Sequence, residues 1–327
     1  MKKLLFNFAD ALLKTSIYVA CCCSLINLSS CSDNDDDNTP TSGLVSSTIP
    51  STGWSGSTTN GICTYRSNNT SEDDEFSCYY AFAFENGKCK EGVFNVVCEN
   101  ETYAKYISQM LNSGDWATED DEDYSLSLLK NKQSPILAQA LQCTKAIQSA
   151  AKSTRATNVM GISCTQDGKI VYFKIDAVKG LDGDDVKYVM NAWDTGLDIN
   201  NLPEEPLFGT WDASTGKYTT NSINAIPNTK IEIETEFNSS DILTKYAATF
   251  TLPNEIWAEM IEESLREQAE GYEQLAGIEL EITRTGNVVT TNNRNIETSS
   301  TTKEYLVKMI VAIDILNARP IGTALFN

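Results

Sequence analysis

The chain contains no histidine. That absence excludes Ser-His-Asp triads, Cys-His dyads and histidine-ligated zinc. What remains is carboxylate chemistry, lysine chemistry or no chemistry. There is no C-x-x-C pair, so neither a zinc ribbon nor a thioredoxin-type redox motif is present. No G-x-S-x-G elbow, no G-x-x-x-x-G-K-[ST] loop and no glycine-rich dinucleotide turn after a strand occurs. Basic residues are scarce, with 25 Lys and Arg against 45 Asp and Glu, a net charge of −20. A chain so acidic is repelled by nucleic acid and by anionic membrane surfaces.

What is present begins at the N-terminus. Lys2 and Lys3 form a basic start, with Lys14 further in, and an apolar run follows from Thr15 to Leu28. A transmembrane helix needs about 20 apolar residues. This run has instead the length of a signal-peptide core, roughly 7–15 residues. It ends in Leu28-Ser29-Ser30-Cys31, followed by Ser32-Asp33-Asn34-Asp35-Asp36-Asp37. Leu28 to Cys31 resembles the lipobox of bacterial lipoproteins. Ser32, Asp33, Asp35, Asp36 and Asp37 resemble the surface-export signal of Bacteroidota lipoproteins, with Asn34 interrupting the acidic run. The resemblance covers only these residues and the signal peptide. It implies cleavage before Cys31, lipidation of Cys31, attachment to the outer membrane and display at the cell surface. Each buried methylene of a lipid chain contributes about 0.8 kcal/mol, so several chains anchor durably. Residues 1–30 carry Lys2, Lys3, Lys14 and Asp10, so cleavage takes the net charge from −20 to −22.

Composition divides the rest. Residues 31–60 read as a lipidated acidic and Ser/Thr-rich tether. Residues 61–200 hold every remaining cysteine: Cys63, Cys78, Cys89, Cys98, Cys143 and Cys164. In an exported chain these six are candidate disulfide cysteines, with 15 connectivities open; the alternative is burial as small apolar side chains. The stretch Asn200-Asn201-Leu202-Pro203-Glu204-Glu205-Pro206 disfavours regular structure and is the linker candidate. A cysteine-free domain at 207–327 follows.

The fold class read from periodicity is α+β: antiparallel hairpins with helices first, then a β-rich antiparallel meander with one long helix at 253–275. In the first domain, strands over Phe76–Phe84 and Lys90–Cys98 flank the hairpin signal Asn86-Gly87. Helices are expected over Tyr103–Leu111, Ser134–Ala151 and Asp184–Trp193. A second hairpin turns at Asp167-Gly168, between Val159–Cys164 and Lys169–Val178. Hairpin-then-helix thus occurs twice, which fits either a degenerate repeat or a common motif. In the second domain, Lys230–Phe237 alternates Ile231, Ile233 and Phe237 against Glu232, Glu234 and Glu236. Strands are also expected at Lys245–Leu252, around Ile278–Ile282, and at Ile321–Phe326. The segment Tyr305–Leu316 supports two readings. Thr301–Glu304 fits a helix capping box. The β-branched residues and apolar period of two favour a central strand, which is the expectation adopted.

Gly209-Thr210-Trp211, with Arg319 near the end, resembles the G-x-W and late arginine of lipocalins. That resemblance implies an antiparallel barrel carrying a small ligand. Asp182-Gly183-Asp184-Asp185 lacks the EF-hand spacing and reads as the start of a helix, where acids complement the dipole. Glu119–Asp123 reads as a solvated acidic loop. Paired carboxylates would suit a hydrolase, but no spacing singles out an acid and a nucleophile. The five tryptophans and 13 tyrosines could supply a sugar-stacking platform. No catalytic residue, metal or cofactor is assigned. The expectation is a non-enzymatic binding or accessory lipoprotein whose partner is a glycan, a nutrient or an outer-membrane protein. A lipocalin-like carrier and a carboxylate-dependent hydrolase are the alternatives.

Overall fold

The computed structural model describes residues 40, 43–67, 76–113, 163–220, 229–252, 279–294, 296 and 300–319, with single helical positions between 255 and 269. The expected helix at 134–151, the strand at 321–326, the acidic loop at 119–123 and the whole N-terminal signal lie outside these residues. The chain divides into two compact units between Gly196 and Leu197. Each contains one six-stranded antiparallel sheet with helices, an α+β fold.

In the first unit the strands are β1 (Gly53–Gly56), β2 (Gly61–Arg66), β3 (Ser77–Glu85), β4 (Lys88–Val97), β5 (Thr165–Asp167) and β6 (Ile170–Lys174). They lie in the order β1-β2-β3-β4-β6-β5. The β3–β4 hairpin turns at Asn86 and Gly87, both left-handed with φ of 53° and 78°. That is the geometry for which Asn-Gly is favoured. β3 and β4 are buried along nearly their whole length, so both faces of the sheet are covered. One face is aromatic. Trp54 lies 4.8 Å from Tyr65, Tyr80 4.8 Å from Phe94, and Phe94 6.1 Å from Phe173, between ring centroids. Helix α1 (Glu101–Ser113) packs against β5 and β6. Helix α2 (Gly183–Thr195) buries Val186, Val189, Met190 and Trp193, and its Asp194 accepts a hydrogen bond from the Tyr65 hydroxyl at 2.6 Å.

The opposite face corrects the expected tether. Leu44 is fully buried in a cluster with Tyr79, Ala81, Val93, Val97 and Tyr172. Asn95 Nδ2 donates to the Leu44 carbonyl at 3.0 Å, and the Tyr79 hydroxyl donates to the Ser46 carbonyl at 2.5 Å. Residues 43–48 therefore strap the sheet, and β1 forms its edge. Polar composition misled here because two apolar side chains, Leu44 and Val45, suffice to dock a short strap. The second hairpin also starts later than expected: Cys164 precedes β5, and residues 176–178 form a 3₁₀ turn rather than strand.

The second unit contains β7 (Thr210–Asp212), β8 (Lys217–Thr220), β9 (Lys230–Phe237), β10 (Leu243–Thr251), β11 (Glu279–Thr285) and β12 (Val288–Arg294). Their order is β7-β8-β9-β10-β12-β11. Positions 255, 258, 259, 261–263, 265, 266 and 269 are helical, within the expected long helix. Cross-strand register places Trp211, Tyr218, Ile233, Ala248, Thr291 and Ile282 in one row on one face. The other face is solvated and carries a Lys–Glu ladder, with Lys217 and Lys230 each 3.1 Å from Glu232, and Lys245 3.1 Å from Glu236. Among the described residues this sheet is open, with β7 and β11 as its edges, and they do not close a barrel.

The last element overturns the strand expected at 305–316. It is helix α3 (Lys303–Asn317), N-capped by Thr302, whose side chain accepts from the Tyr305 amide at 3.3 Å. Leu306 and Met309 through Ile315 are all buried. A helix enclosed on nearly every side is apolar all round, and such a run satisfies a period of two as readily as one of 3.6. Among the described residues no helix is long and apolar enough to cross a membrane.

Candidate functional site

The residues singled out from sequence do not converge. Cys31, Ser32, Asp33, Asp35, Asp36, Asp37 and Cys143 lie outside the described residues. Cys63, Cys89, Cys98 and Cys164 are buried free thiols, and Cys78 is buried as well; the expected disulfides are not formed among the first four. Burial pushes Cys89 up to about 12 and Cys98 and Cys164 up to about 11, and raises Cys63. Thiols so protonated are poor nucleophiles. Cys164 sits against α1, where the Asn112 side chain donates to its carbonyl at 2.9 Å and accepts from its amide at 3.1 Å. Asp182 occupies the N-cap position of α2 but makes no capping hydrogen bond; its carboxylate pairs with Lys88 at 2.9 Å. Among the described residues no three acidic or cysteine side chains are grouped to hold a metal ion.

Among the described residues a feature with the shape of a site lies in the second unit. It is a groove of about 740 Å³ between the N-terminal half of α3, the edge strand β7 and residues 199–204. That volume lies within the range of roughly 300–1,000 Å³ typical of ligand pockets. On α3, Lys303, Glu304, Val307, Lys308 and Val311 share the stripe that faces it. Val307 and Trp211 give it apolar surface above the buried Val311, continued by Leu202 and Pro203. Asn200, Glu204, Asp241 and Thr302 add polar atoms. Both of its lysines are held by neighbours. Lys303 Nζ is 3.3 Å from the Ala213 carbonyl and 5.8 Å from the Phe237 ring centroid. Lys308 pairs with Glu304 at 3.0 Å.

A buried carboxylate fixes the wall. Asp314 is 2% exposed on the otherwise apolar α3. It accepts from the amides of Leu207 and Phe208 at 2.7 and 2.8 Å, and from the Tyr218 hydroxyl at 2.6 Å. Burial raises its pKa, and these hydrogen bonds oppose the rise. Burial and then the Asp314 charge push the Tyr218 hydroxyl well above its usual value. The linker candidate thus ends in a segment bonded to α3, which positions the approach to Trp211. Gly209 has its own reason. A Cβ there would lie 2.5 Å from the Tyr218 ring, so the Gly of G-x-W makes room for an aromatic face.

No protein family, curated protein or solved structure matches this chain. The site is therefore read from its own chemistry. Trp211 and Arg319 were marked by the lipocalin resemblance; Trp211 lines the groove, while the Arg319 amide donates to the Leu316 carbonyl at the end of α3. Lys303, Val307 and Val311 were hidden by the strand reading. The signal that could have revealed them was the capping sequence Thr301–Glu304.

Proposed function

We propose that this chain is a surface-tethered outer-membrane lipoprotein and a non-enzymatic binding module, with the groove of its second unit as the site and a glycan as its ligand. The groove beside Trp211 is the observation that carries the reading. An indole flanked by valines offers an apolar face to the C–H face of a sugar. Amide, hydroxyl, carboxylate and ammonium groups around it suit hydroxyls, which both donate and accept. The mixed charge of the rim favours a neutral polar ligand over an ion of one sign. The anchor read at Cys31 and the acidic run after it support placement where extracellular glycans are met.

A glycan array probed with the mature chain tests this. The chain is expected to retain a defined set of neutral oligosaccharides, and Trp211→Ala to lose them by at least tenfold while the circular dichroism of the folded chain is retained. Retention unaffected by Trp211→Ala, or no retained glycan, overturns the reading.

A further inference from the structure

The two units are built alike in ways that a shared fold class does not require. Among the described residues each runs four strands, helical positions, two strands and a helix, with strand orders β1-β2-β3-β4-β6-β5 and β7-β8-β9-β10-β12-β11. In each, the fourth strand carries a bulge near its start. β4 slips at Lys90, between Cys89 and Glu91, and β10 slips between Leu243 and Lys245. The turn before that strand holds a left-handed residue, Gly87 or Asp241. At the entry to that strand a residue bridges to the N-cap of the last helix: Lys88, the first of β4, to Asp182, and Ile242, just before β10, to Thr302. The flanking amides repeat the pattern. Cys89 donates to Leu181 at 2.9 Å and Leu243 to Thr301 at 2.8 Å; Gly183 donates to Gly87 at 3.1 Å and Lys303 to Asp241 at 2.9 Å.

Side chains follow the same register. A tryptophan on the first strand stands opposite a tyrosine on the second: Trp54 with Tyr65, and Trp211 with Tyr218. Each tyrosine hydroxyl donates at 2.6 Å to an aspartate on the last helix, Asp194 or Asp314. Both aspartates stand at the same distance along the helix from their N-caps, Asp182 and Thr302. Strand order alone could arise twice. The bulge, the bridge and the Tyr–Asp pair at matching positions do not follow from it.

We infer that the chain is a tandem duplication of one domain, and that the ligand groove belongs to the second copy, so that each chain carries one site. The duplication stands on geometry; the single site rests on the groove reading above. The copies differ where the groove lies. The counterparts of Val307 and Val311 are Lys187 and Asn191, which supply charge and amide instead of apolar surface. The counterpart of Lys303 is Gly183, and Thr58 packs there so closely that a Cβ would lie 2.5 Å from the Thr58 Cβ. Thr58 lies between the last paired residues of β1 and β2, Gly56 and Cys63, a longer span than 213–216 between Asp212 and Lys217. The first copy thus folds its own loop over the place that the second leaves open.

Two measurements on the mature chain test this, neither using a glycan, so a failed glycan screen leaves them standing. The first is a pair of double-mutant cycles, Tyr65→Phe with Asp194→Asn and Tyr218→Phe with Asp314→Asn, read by unfolding midpoint. Each single variant is expected to lower the midpoint by several degrees, and each double variant by clearly less than the sum. Strict additivity in either pair means that its tyrosine and aspartate are not partners and overturns the equivalence. The second is titration with the dye 1-anilinonaphthalene-8-sulfonate. One site per chain is expected, lost in Val307→Lys, which installs the first copy's residue, and weakened severalfold in the near-isosteric Val307→Thr at unchanged midpoint. Two sites, none, or a site indifferent to Val307→Thr overturns the inference.

Discussion

Leu44→Ala tests whether residues 43–48 belong to the folded domain or to a tether. Leu44 is fully buried against Tyr79, Ala81, Val93, Val97, Ile170 and Tyr172. Its carbonyl is held by Asn95, and its neighbour Ser46 is held by Tyr79. The substitution leaves those hydrogen bonds in place and removes only side-chain carbon. Lost transfer energy is about 0.8 kcal/mol per methylene. The cavity adds to it, and buried Leu→Ala changes cost about 2–5 kcal/mol. For a unit of this size each kcal/mol shifts the midpoint by roughly 2–4 °C, so a loss of roughly 4–20 °C is expected. Urea unfolding followed by near-ultraviolet circular dichroism reports on the aromatic face of the same sheet. Ser47→Ala, at an exposed position on the same strap, is the control and should change stability by less than about 0.5 kcal/mol. Leu44→Ala no more destabilising than Ser47→Ala would show that the strap is not docked and refute the reasoning.

Three further expectations follow from individual groups. Because burial raises the Asp314 pKa, the folded state holds that proton more tightly than the unfolded chain. Its contribution is full below the ordinary carboxylate value and is lost as pH rises through the raised folded value; Asp314→Asn should flatten this fall between wild type and variant in urea melts from pH 4 to 8, and equal slopes would contradict it. Cys63, Cys89, Cys98 and Cys164 should resist iodoacetamide in the native chain at pH 7.5 and react fully in urea without reductant; labelling that needs prior reduction would establish disulfides instead. Cys31→Ser should remove the mass of the lipid chains and leave the signal peptide uncleaved; an unchanged mature mass in the detergent phase would refute the lipobox.

Legibility from sequence followed how local the determinant was. Asn86-Gly87 specifies its hairpin through backbone geometry within the turn, and the alternation Ile231, Ile233 against Glu232, Glu234 specifies which face of β9 is buried; both are realised. α3 was misread because its environment, not its own pattern, decides it. A helix enclosed by protein needs no polar face, and the lone Asp314 is buried and paired instead of solvated. The strap at 43–48 was hidden for the converse reason, since two apolar residues in a polar stretch carry little periodic signal. The groove combines Trp211, which the sequence marked, with α3 residues that only the helix brings onto one stripe. The likeness of the two units was visible only as hairpin-then-helix, because the bulge, the bridge and the Tyr–Asp pair are relations between distant residues.

The most direct test of the binding account is amide hydrogen exchange of the mature chain, with and without the oligosaccharide it retains most strongly on the array. The account predicts slowed exchange at residues 199–204 and along 303–311, with residues 43–113 unchanged. Protection confined to the first unit, or none in the second at saturating ligand, would contradict it.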